Sequence, residues 1–231
     1  MTVRINKPAL NLREELTKAQ SVVPYVQQQF WMDGLVENGT FDTNTTGWAA
    51  ENVAVSVVSN RLRITSTGAA SARVSQTVSG LVAGKTYMLT GEAERISGSS
   101  SVSLSLYDTP VTSGFMGNAL GNVTNLESGQ YVFTATDDSV SVVAQIINAA
   151  GAGEIADFDN IQVFELDEND EVIHSLPLGW KPLHVYEDGL IQREGDVHDY
   201  TVVKTGGAYA IKPAVQPTGA TETCVIAERE L

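Results

Sequence analysis

Two groups of side chains in this sequence have the types and spacing to do chemistry. Glu37, Asn38 and Asp42 lie in one short stretch, and Asp157 and Asp159 in another far along the chain. A hard cation such as Ca²⁺ takes roughly six to eight oxygens from carboxylates and carbonyls, so a fold that closed one stretch on the other would suit it. The same acids serve equally well as turn caps that bind water. The second group sits on segments with strand-like alternation, which puts every second side chain on one face. Met88, Thr90, Glu92 and Glu94 share a face, as do Ser103, Ser105 and Tyr107, and Val143, Gln145 and Ile147. If those faces form one concave surface, Tyr107 offers a ring to stack on a sugar, with Glu92, Glu94 and Gln145 as hydrogen-bonding groups. Sugar clefts set two or more aromatics against the ligand, and only Tyr107 can be placed here. A scaffold that binds no sugar and serves as a spacer is therefore the competing reading.

Catalysis finds little support. Glu92 and Glu94 occupy adjacent same-side positions on one strand, whereas a glycosidase pair flanks the scissile bond at about 5 Å or more. His174, His184 and His198 have no metal-ligand spacing, and no nucleophile elbow or phosphate loop occurs. The expectation is a protein that is not an enzyme.

The elements that must position these residues are strands. Val53–Val58, Arg61–Thr65, Tyr87–Ala93, Ser101–Tyr107, Gly129–Ala135 and Ser139–Ile146 all read with period two, separated by Gly-containing turns. Eight or so strands without helical crossovers indicate an antiparallel sandwich or jelly roll. The expected fold class is all-β: a jelly-roll β-sandwich with a short N-terminal helical arm and a small C-terminal β-domain. The 231 residues carry 14 Lys and Arg against 28 Asp and Glu, a net charge of −14. That excludes a nucleic-acid binder, which needs clustered basic residues. Cys224 is the lone cysteine, so no intrachain disulfide forms, and its strand-like setting suits a small buried hydrophobe. No run approaches the ~20 apolar residues of a membrane-spanning helix, and the N-terminus lacks the apolar core of a signal peptide.

Four segments follow. Residues 1–33 form an arm: Asn11 and Glu14 have capping-box spacing, Leu12, Leu16 and Ala19 define a short amphipathic helix, and Pro24 stops it. Tyr25 to Met32 reads as a second helical or irregular piece with more apolar surface than one or two turns can bury. The arm either packs on its own sandwich or docks into another protein. Residues 34–166 are the sandwich, residues 167–182 an acidic and Pro-containing linker, and residues 183–231 a β-domain of four or five strands opened by an Asp188-Gly189 hairpin turn. So small a domain is expected to lean on a neighbour.

Three stretches carry resemblances. Val36 to Asp42 with Gly47-Trp48, Gly80 to Tyr87, and Asp157 to Val163 resemble the carbohydrate-binding-module jelly rolls found beside glycoside hydrolases. Val3 to Leu16 resembles the N-terminus of bacteriophage virion proteins. Val185 to Gly195, Asp199 to Val202 and Ile211 to Val215 resemble a small β-domain of phage fibre and tail proteins. The first resemblance implies a structural Ca²⁺ held by Glu37 and Asp157, then the Gly39 carbonyl and Asp159, and implies a core role for Trp48. Together they imply a phage virion surface protein, a head decoration (capsid decoration), head fibre or tail-fibre-type adhesin. It would be assembled in the host cytoplasm and displayed on the virion exterior, anchored to other virion proteins through residues 1–33. It would contact a host-surface glycan and form a homo-oligomer, a trimer if fibre-like, without nucleic acid or membrane insertion. The alternative is a free bacterial carbohydrate-binding module of a polysaccharide-degrading system.

Overall fold

The computed structural model describes residues 27–31, 34–68, 70–108, 114–169, 171–187, 190–192, 194–195, 199–205, 207–214 and 223–229. Among them every element is a strand. In chain order these are β1 (Gln27–Trp31), β2 (Ala49–Glu51), β3 (Val53–Val58), β4 (Arg61–Ser66), β5 (Ala72–Ser79), β6 (Thr86–Ser97), β7 (Ser101–Asp108), β8 (Phe115–Val123) and β9 (Glu127–Thr134). There follow β10 (Ser139–Ile147), β11 (Ile155–Leu166), β12 (Val172–Ser175), β13 (Trp180–Glu187), β14 (Leu190–Ile191), β15 (Tyr200–Thr205), β16 (Ala208–Pro213) and β17 (Thr223–Arg229).

Strands β2 to β11 make a sandwich of two antiparallel sheets. One has the order β2-β5-β10-β7-β8; in the other, β3, β4, β11, β6 and β9 are neighbours in that order. Alternation explains the core between them. Leu62 and Ile64 of β4, Leu89 and Ala93 of β6, Val102, Leu104 and Leu106 of β7, and Phe158 of β11 all point inward and are fully buried. Their intervening neighbours face outward. Gly91 lets the sheets approach, since a Cβ there would lie 2.4 Å from Leu104 Cδ2. Trp48 is buried, its ring centroid 5.4 Å from that of Phe41, in the core position expected for it.

The remaining described strands form a second unit continuous with the first. The long strand β11 passes out of the sandwich and pairs with β12 through Glu165↔Ile173 and Leu166↔Val172, and β12 in turn pairs with β16 and β16 with β15. A separate sheet, β1-β17-β13-β14, lies over it. Leu176, Val185, Tyr200, Ile211, Val225 and Ala227 form the core between them, with Cys224 buried nearby. Ion pairs flank the junction: Lys85 with Glu165, and Lys212 with Asp167 (3.0 Å) and Glu171.

Two expectations need correction. Within the stretch read as helical or irregular, residues 27–31 form a strand, paired antiparallel from Gln27↔Glu228 to Trp31↔Cys224. Its large apolar residues favour the extended state once β17 offers an unpaired edge, a non-local partner that outweighs local pattern. Within residues 167–182, read as an acidic and Pro-containing linker, Val172 to His174 are buried in β12, because β11 and β16 supply hydrogen-bonding edges on both sides. The helix expected around Asn11 to Ala19 lies outside the described residues, as does the Asp188-Gly189 turn.

Candidate functional site

Hairpin and crossover pairing decides which of the sequence-predicted residues meet. Tyr107 and Gln145 do. Opposition of Tyr107 to Ser141, Ser105 to Val143 and Ser103 to Gln145 puts all of them on the outer face of the five-stranded sheet. There Gln145 Nε2 donates to Ser105 Oγ (3.1 Å) and lies 3.4 Å from the Tyr107 hydroxyl, while Ser105 Oγ donates to Asn118 Oδ1 (2.7 Å). Gln145 is only 5% exposed and Ser103, Ser105 and Ser141 are fully buried. This polar row therefore fixes Tyr107 from beneath instead of meeting solvent.

Sequence reasoning missed the residue that completes the aromatic surface. Phe115 opposes Tyr107 across the β7–β8 pair, their rings edge to face with centroids 5.4 Å apart, and Phe115 is 59% exposed. Register shifts interrupt the β7–β8 pairing in three places, which erases the alternation that would have marked β8 as a strand. The exposed Asn118 on the same strand adds a polar group beside the rings.

Glu92 and Glu94 share a face as expected, but on the opposite sheet, where β6 sets them against Asp159 and Asp157 of β11. The four residues read as one sugar surface are thus split between the two outer faces of the sandwich. Glu92 accepts from Asn160 Nδ2 (3.2 Å) and lies 3.6 Å from Arg61, so it belongs to a charged network.

The cation set is also distributed. Both carboxylate oxygens of Asp157 accept from Arg63, from Nε and a terminal nitrogen, each at 2.7 Å. That pairing raises the Arg63 guanidinium above its ordinary pKa. The Gly39 carbonyl accepts from Ile161 N (3.0 Å). Glu37 is held through its backbone: its N–H donates to Gln76 Oε1 (2.7 Å) and its carbonyl accepts from Gln76 Nε2 (2.8 Å). Asp159 stands with Arg61, Glu92 and Asp42, and burial pushes its pKa up to about 6 against the pull of the Asn160 N–H and Arg61, with Glu92 and Asp42 adding to the rise. The bracket does meet, through Gly39 and Ile161. Among the described residues no three His, Cys, Asp or Glu side chains converge as a metal cage.

No family model and no curated protein matches the chain. Solved structures with similar strand layout include a CBM4 domain, 16% identical, spanning 55% of this chain and 99% of its own with a TM-score of 0.44. The N-terminal cellulose-binding domain of Cellulomonas fimi β-1,4-glucanase C is 19% identical over 57% of this chain and 97% of its own, TM-score 0.44. The enzymatically active domain of bacteriophage CBA120 tailspike protein 4 is 14% identical over 58% of this chain and 22% of its own, TM-score 0.43.

Proposed function

We propose that the protein is a non-catalytic display module whose sandwich meets glycans at the Tyr107–Phe115 surface. The observation that carries this is the pairing of an exposed aromatic ring with a second ring held by a buried polar row. Apolar ring faces accept the C–H side of a sugar, and a few fixed polar groups beside them set its orientation. Titration calorimetry of the full chain against a glycan panel is the test. Loss of binding in Phe115→Ala, with an unchanged melting temperature, supports the surface; equal binding by the variant removes it.

A virion setting is the fuller form of this proposal, favoured by the β1–β17 pairing. It joins the N-terminal segment to the unit built from the C-terminal segments that resemble phage fibre proteins, so the sandwich is inserted into one end-to-end unit. Such a layout suits an anchored base bearing an outward domain, on the exterior of a particle assembled in the host cytoplasm and in more than one copy. Deletion of residues 1–26 is the cleaner experiment, because removing 27–31 also strips a strand from β17. Absence of the truncated chain from particles, with wild-type glycan affinity retained, is expected. Normal incorporation would remove the anchoring role of residues 1–26, and absence of the full chain from particles would favour a free bacterial module instead.

A further inference from the structure

A row of side chains crosses the junction between the two units on one face of the continuous sheet. Phe164 of β11 opposes Met88 of β6 on the sandwich side, and His174 of β12 opposes Ile211 of β16 on the other. Phe164 and His174 meet edge to face with centroids 6.2 Å apart, closing the row. Phe164, His174 and Ile211 are 4%, 6% and 1% exposed, so the row is an interior seam. His174 is its only titratable member, and its Nε2 is buried without a hydrogen-bond partner.

We propose that this seam is an acid-released joint, with His174 as the trigger that loosens the C-terminal unit from the sandwich. The neutral ring packs as an aromatic; an imidazolium there would carry charge into a buried, largely apolar seam. From β6 and β11 the groups facing the seam are Met88, Phe164 and Leu166, and Tyr87 and the Lys85-paired Glu165 line the same cleft as Phe164 and His174. From β15 and β16 they are Tyr200, Val202 and Tyr209, with the exposed Lys204 holding its ammonium 4.3 Å from the Tyr209 ring centroid. The overlying sheet contributes Val185, Val225 and Ala227. Burial accordingly pushes the His174 pKa down from 6.5 to about 4. Because the folded-state value is depressed, the contribution of neutral His174 is complete above pH 6.5 and is lost as pH falls toward about 4. The Asp167–Lys212 ion pair also weakens in acid, so the test must isolate the histidine. This inference is independent of the glycan surface.

Hydrogen exchange of the full chain, corrected for intrinsic rates, reads the joint strand by strand between pH 7 and pH 4. Protection in β12 and β16 is expected to fall at least about tenfold more than in β7 and β10. His174→Phe keeps a ring and removes the proton, and His174→Met serves if the larger ring does not fold. Either is expected to abolish the excess loss. An unchanged acid response in both variants, no excess loss in the wild type, or equal loss across the sandwich would overturn the proposal.

Discussion

Arg63 and Asp157 lie directly opposite each other across the β4–β11 pair and share two hydrogen bonds of 2.7 Å, with the carboxylate 6% exposed and the guanidinium side chain 27% exposed. Removing the cation leaves a buried carboxylate without its counter-charge. Arg63→Ala is expected to lower stability by about 2 kcal/mol, below the value for a fully buried pair because the guanidinium is partly solvated. Arg63→Lys, which keeps the charge but not the two-point fork, should fall between. Urea unfolding of the three proteins checks the order.

The same pair bears on calcium. A cation using Asp157 must compete with Arg63 for its oxygens, and one using the Gly39 carbonyl must share it with Ile161 N. Excess EDTA is therefore expected to leave the melting temperature unchanged. A fall reversed by added Ca²⁺, and not by Mg²⁺, would show that the two stretches rearrange around an ion.

Gly39 is required for a different reason. A Cβ at this position would stand 1.9 Å from the Ile161 carbonyl oxygen, and backbone cannot move aside as a side chain can. Gly39→Ala is expected to cost about 3 kcal/mol or more, through strain where the opening and closing stretches meet. Gly84→Ala provides the contrast, since no atom lies within 4 Å of its Cβ and only its φ of 89° opposes the change. Thermal melts of both variants should rank Gly39 well below Gly84.

Particular residues show how far the sequence reaches. Alternation put Glu92 with Glu94 and Ser105 with Tyr107 on common faces correctly, because face is a local property of a strand. Sheet membership is not local: β6 pairs with β9 and β11, and β7 with β8 and β10, so two strands adjacent in sequence end in opposite sheets. That choice divided the sugar set, and nothing in either strand announces it. Phe115 was hidden by bulges, and β1 by its dependence on β17 at the far end of the chain. Trp48 and Cys224 were legible because large apolar groups and small thiols in strand-rich settings have few places to go but the interior.

Asp159 gives the pH prediction opposite in sign to that of His174. Its folded-state pKa is raised from 3.8 to about 6, chiefly by burial, so its contribution favours the folded state below pH 3.8 and is lost as pH rises through about 6. At neutral pH the ionised carboxylate is a liability set beside Glu92 and Asp42, only partly relieved by Arg61. Asp159→Asn is therefore expected to raise stability at pH 7 by about 1 kcal/mol, the partly exposed position discounting the full effect, with no gain at pH 4. Urea midpoints of wild type and variant at the two pH values measure this. A variant less stable than wild type at pH 7 would mean that the Asp159 charge is needed, either to hold Arg61 or to bind a cation.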